Sequence, residues 1–133
     1  MKEIYEVQSD VYQSCLWVFF GSIDECCEAM RTKENVSEDA VKEWRERAEE
    51  NTDCHGMYLH NEKENISILW MDSVPDTVWA YGTLVHEVEH YIFYLFKRIG
   101  MEHTEASDEA YAYMMGYIFR CIDNIICDIR EQK

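Results

Sequence analysis

Two short stretches near the N-terminus, residues 3–8 and 12–20, are patterned as strands. The second, YQSCLWVFF, is apolar on both faces, as in a strand buried from both sides. Gly21 ends it, and Ser22-Ile23-Asp24-Glu25 fits an S-x-x-E capping box that opens a helix to about Lys33. Ser37, followed by Glu38 and Asp39, starts a second helix to about Glu50, with Ala40, Val41, Trp44 and Ala48 at helical spacing. Residues 55–60 and 66–71 flank the polar turn NEKEN and predict a hairpin. Asp76, after Pro75, is the expected N-cap of a long helix to about Ile99. Its apolar stripe is Val85, Val88, Ile92, Leu95, Phe96 and Ile99. A last helix, from about Ser107 to Arg130, turns Ala110, Met114, Tyr117, Ile118, Cys121, Ile125 and Ile129 inward. Strands, two helices, a hairpin and two more helices make an α+β fold, a small sheet packed by helices.

With one Pro and five Gly, the 133 residues carry no flexible linker, and residues 1–133 read as one domain. Hydrophobic residues are 47% and aromatics 14%, which excludes a disordered acidic chain. The formal net charge of −15 argues against nucleic acid or an anionic membrane as partner. No apolar run approaches the length of a membrane span, and the acidic first ten residues do not form a signal peptide. Six Cys occur with no C-x-x-C pair, so they are expected as small hydrophobes in a reducing cytoplasm.

The chemistry lies in His86-Glu87-Val88-Glu89-His90, an H-E-x-x-H motif inside the long helix. A spacing of four puts both imidazoles on one face, about 6 Å apart along the axis and roughly 40° apart around it. Two neutral imidazoles so placed can share one metal ion. Glu87 lies about 100° from His86. There it is beside the metal rather than on it, where it can take a proton from a bound water. A third protein ligand is required. No His follows at the H-x-x-G-x-x-H distance, and the acids after Gly100 are Glu102, Glu105, Asp108 and Glu109. The helix carries the chain roughly 13 Å past His90 before it returns. That leaves Glu102 near the turn and Glu105 in the returning loop. Asp108 and Glu109 open the last helix about 100° apart, so one of them can face the metal. Glu109 has the longer reach, and Asp108 is expected to point outward or help Ser107 cap the helix.

H-E-x-x-H followed about twenty residues on by a helical Glu-Ala, here Glu109-Ala110, resembles the gluzincins, the thermolysin-like zinc peptidases. The short chain is similar to their minimal members, the minigluzincins, and to small metallopeptidase-like proteins encoded by phages and gut bacteria. The resemblance covers Ile66 to about Tyr117 and implies a minimal zincin-like fold. It implies one zinc per chain held by His86, His90 and Glu109, with Glu87 as general base in peptide hydrolysis. Where thermolysin has an Asp four residues after the ligand Glu, supporting a zinc His, this chain has Tyr113. Zincins also set an edge strand just before this helix for the peptide substrate, a position that falls on Ile66–Met71.

Other residues have plainer readings. Asp53, Cys54, His55 and His60 match no closed zinc spacing and read as a loop and the hairpin start. Among the aromatics near the Glu-Ala, Tyr111, Tyr113 and Tyr117 read mainly as core. Tyr113 and His103 are the candidates for stabilising an oxyanion.

Three functions are open. The first is a cytoplasmic zinc metallopeptidase acting on a peptide or protein. The second is a non-catalytic binding or regulatory module on a zincin scaffold. The third is Fe(II) oxygen chemistry on the same donors, disfavoured because such sites usually sit on strands of a barrel.

Overall fold

A computed structural model describes residues 2–51 and 53–132. Four strands and four helices follow the expected order: β1 Tyr5–Ser9, β2 Ser14–Phe20, α1 Ile23–Arg31, α2 Glu38–Glu50, β3 Gly56–Asn61, β4 Ile66–Met71, α3 Val78–Arg98 and α4 Asp108–Glu131. The sheet order is β1-β2-β4-β3. β1 and β2 form an antiparallel hairpin, β2 and β4 run parallel with Val18 opposite Leu69, and β3 and β4 are antiparallel with Tyr58 opposite Leu69. The parallel pair requires a long return between its strands. The segment α1-α2-β3 supplies it.

Local chemistry sets the helix starts. Ser22 and Glu25 form the expected reciprocal capping box, and Ser37 accepts the Ala40 N–H. At α3 the cap is Thr77, whose side chain accepts the Ala80 N–H at 3.1 Å, and not Asp76. Ser107 precedes α4, but its hydroxyl bonds Glu102 and Thr104 instead of capping the helix.

Helices cover both faces of the sheet. β2 alternates its apolar side chains between two cores, which is why it is apolar throughout. Leu16, Val18 and Phe20 join Leu69 and Met71 under α3 and α4. Phe19 joins Ile68 and Trp70 under α1 and α2, where Trp44 meets Trp70 edge-on at 5.9 Å. From α3 the main core receives Leu84, Val88, Tyr91, Ile92, Leu95 and Phe96, and from α4 Tyr111, Met114, Ile118, Ile122 and Ile126. Val85 and Ile99, placed in the stripe by sequence, are 42% and 39% exposed, and Tyr117 is 40% exposed.

All six cysteines are free thiols; Cys26 and Cys27 are buried, while Cys54 and Cys127 are exposed. Burial, with Glu6 adding to it, pushes the Cys15 thiol up to about 11. Among the described residues, no helix is long and apolar enough to cross a membrane.

Candidate metal centre

The buried stripe of α3 faces the sheet, and His86 and His90 lie on its exposed side. Their Nε2 atoms are 3.1 Å apart. Two nitrogens this close share either a proton or a cation. Glu87, one position round the helix, is only 7% exposed. Its Oε1 accepts the backbone N–H of Tyr58 at 2.9 Å. Among the described residues, His86, Glu87 and His90 are the group of His, Cys, Asp and Glu side chains whose donor atoms all lie within 4.8 Å of one another, close enough to hold a metal ion.

The Tyr58 bond belongs to a longer match between α3 and β3. A Cβ built at Gly56 would lie 3.0 Å from Thr83 Cγ2, Tyr58 bonds Glu87, and the His60 ring stacks on Tyr94 at 3.8 Å. Two strand residues advance about 6.8 Å and four helical residues about 6 Å, so the two elements keep step from Gly56/Thr83 to Tyr58/Glu87. The open edge on this side of the sheet is therefore β3, and β4, expected as the edge, is central between β2 and β3. His55 O accepts the Asp72 N–H at 3.0 Å, so residues 57, 59 and 61 bond toward β4. The main-chain groups of Gly56, Tyr58 and His60 then face outward.

A groove of about 640 Å³ opens between the start of β3 and the first half of α3, lined by Cys54, His55, Gly56, Trp79, His86 and Glu87 among others. His55 stands at its rim with Nδ1 on Asp72 Oδ2 at 2.7 Å. From sequence His55 reads as part of a loop and hairpin start; the closed hairpin brings it beside the motif. His60, by contrast, is used internally. Its Nδ1 meets Ser67 Oγ at 2.9 Å and its Nε2 meets Tyr94 OH at 2.6 Å, and burial holds it below the usual histidine range. Along α3, Trp79 lies seven residues before His86 and Phe93 seven after, 88% and 55% exposed. Heptad spacing returns nearly to the same side of a helix, so an uncovered aromatic flanks the histidines on each side.

The remaining sequence candidates sit apart from the cluster. Glu109 is exposed in the first turn of α4, outside the group of converging donors. Asp108 accepts from His103 Nε2 at 2.7 Å, and that histidine stacks on Tyr111 at 3.9 Å. Tyr113 is 70% exposed and faces a different groove, with Val11 and Tyr12 of the β1–β2 turn. Compared with family models, with curated proteins and with solved structures, the chain matches none.

Proposed function

We propose that the chain is a zinc-dependent metallopeptidase that hydrolyses peptide bonds with Glu87 as general base. The observation that carries this reading is the pair of imidazole nitrogens 3.1 Å apart beside a buried, anchored carboxylate. Zn–N bonds of about 2.0–2.1 Å in a tetrahedral site hold two nitrogens about 3.3 Å apart, so the pair is already spaced for such an ion. His86 and His90 would be two ligands and Glu109 the third, delivered from α4.

When bound, zinc supplies a Lewis acid and lowers the pKa of a coordinated water to about 7. The chain's own groups do the rest. Tyr58 N–H occupies Glu87 Oε1, which fixes the carboxylate plane and leaves Oε2 to take the proton of the attacking water. The same carboxyl then returns that proton to the leaving amine as the peptide C–N bond breaks. Outward main-chain groups of Gly56 and His60 are available to pair with an extended substrate, a general mode of peptide capture. Trp79 and Phe93 offer apolar contact on either side of the scissile bond.

A second reading, a binding module on the same scaffold, has an observation of its own. Glu87 holds the β3 edge through Tyr58, so it has structural work even where no bond is cleaved.

Glu87→Gln separates the two. The amide can still accept from Tyr58, and Glu87 is not counted as a ligand, so the variant should take up zinc like the wild type. On the peptidase reading, zinc-loaded wild type cleaves members of a broad peptide library and the Gln variant does not. Wild type that binds zinc but cleaves nothing, or a Gln variant that cleaves equally well, removes the peptidase reading.

A further inference from the structure

Tyr111 is buried in the first turns of α4, stacked on His103 at an interplanar angle of 9° and set edge-on to Phe96 with ring centroids 5.0 Å apart. Its hydroxyl donates to Glu89 Oε1 at 2.8 Å. Facing a carboxylate, which can only accept, the phenol is the donor of this bond. The other oxygen of Glu89 lies 3.8 Å from His90 Nδ1. This carboxylate therefore has one oxygen tied to α4 and the other beside the imidazole whose Nε2 faces His86.

We infer that Glu89, held by Tyr111, is a positioning residue that sets the tautomer and orientation of His90 for metal binding. The argument is one of donors and acceptors. At 3.8 Å Glu89 Oε2 is beyond direct hydrogen-bond range, but its negative charge favours a hydrogen on the ring nitrogen that faces it, His90 Nδ1. His90 Nε2 then carries the lone pair. In the metal-free protein the 3.1 Å contact closes with His86 Nε2–H donating to His90 Nε2. His90 is thus already in the ligand tautomer, and only His86 must move its hydrogen to bind an ion. Carboxylates of this kind behind a metal-bound histidine commonly govern affinity. The support reaches α3 from α4 through Tyr111, with His103 stacked behind that ring and held by Asp108. The inference rests on the metal reading for its affinity arm but not for its tautomer arm.

The test uses the whole chain, Glu89→Gln and Tyr111→Phe. Glu89 is exposed and Tyr111→Phe keeps the ring, so both variants should fold with unchanged circular dichroism, Tyr111→Phe melting somewhat lower for its lost bond to Glu89. Long-range 15N–1H correlation spectra in mildly alkaline buffer report each ring's tautomer. Wild type should show Nδ1–H at His90 and Nε2–H at His86. In Glu89→Gln the carboxamide oxygen still accepts from Tyr111 and its NH2 turns to His90, so the two tautomers should exchange. Zinc affinity, read by competition with a chromophoric chelator, should fall about 10- to 100-fold in Glu89→Gln, with a smaller loss in Tyr111→Phe. Wild type with Nε2–H at His90, or variants with wild-type tautomers and affinity, would overturn the inference. Wild type with the expected tautomers but no zinc uptake would uphold the positioning and sink the metal reading instead.

Discussion

Gly56 and Thr83 touch where β3 meets α3. A methyl group on Gly56 would sit 3.0 Å from Thr83 Cγ2 and 3.2 Å from the Trp70 carbonyl. That contact is the first point of the register that brings Tyr58 to Glu87. Gly56→Ala should destabilise the protein by about 1–2 kcal/mol, from about 1–3 for the overlap less about 0.4–1 for the stiffer unfolded chain. Urea unfolding at constant slope measures it, and Thr83→Ser in the same background should recover part of the loss. An alanine variant as stable as wild type would show that α3 yields there at no cost.

His60 should make stability depend on pH. Burial lowers its folded-state value below the ordinary 6.5. On acidification from neutral pH the unfolded chain takes up this proton first, so the His60 contribution is full above about 6.5 and is lost as pH falls through the lower folded value. Wild type should lose more stability than His60→Gln between neutral and mildly acidic pH. Equal losses in urea midpoints would show that the Tyr94 stack and the Ser67 bond leave the ring free to charge.

The third ligand can be assigned by zinc titration of three variants. Glu109→Ala should weaken binding at least tenfold, Glu105→Ala should change it little, and Asp108→Ala should act only modestly, through His103 and Tyr111. A dominant loss in Asp108→Ala or Glu105→Ala would move the ligand away from Glu109.

Much of this architecture is legible along the chain, for reasons specific to each element. Ser22/Glu25 and Ser37 mark helix starts because a capping side chain acts within three residues of itself. The spacing of His86 and His90 is likewise a local fact. The α4 stripe is harder: Tyr111, Ile122 and Ile126 are buried while Tyr117, expected inside, is not. Cys121, Ile125 and Ile129 are only partly covered. That helix is apolar around most of its circumference, so periodicity finds the helix without fixing its rotation. α3 shows a similar error at Val85 and Ile99, while Leu84 and Tyr91 enter the core. Thr77 competes with Asp76 as a cap and wins by one residue. What the sequence hides is partnership across the fold. Glu87 reads as a base beside a ligand, but its bond to Tyr58 depends on β3 being the outer strand, and strand order is a tertiary choice. Glu89 and Tyr111 are 22 positions apart and meet only because α4 packs back on α3.

The grip of Glu87 on Tyr58 also bears on how the molecule behaves in company. An outer strand is a template on which other molecules can add strands of their own, and proteins commonly guard such rows by covering or charging them. Here the carboxylate proposed as the base is also the group that occupies the Tyr58 N–H of that row. On the peptidase reading, Glu87→Ala would remove the base and uncover the Tyr58 N–H together, whereas Glu87→Gln, which can still accept that N–H, would remove only the base. Inactivity of the alanine variant would therefore report on two properties at once, the loss of the proposed base and the opening of one edge N–H to a neighbouring strand.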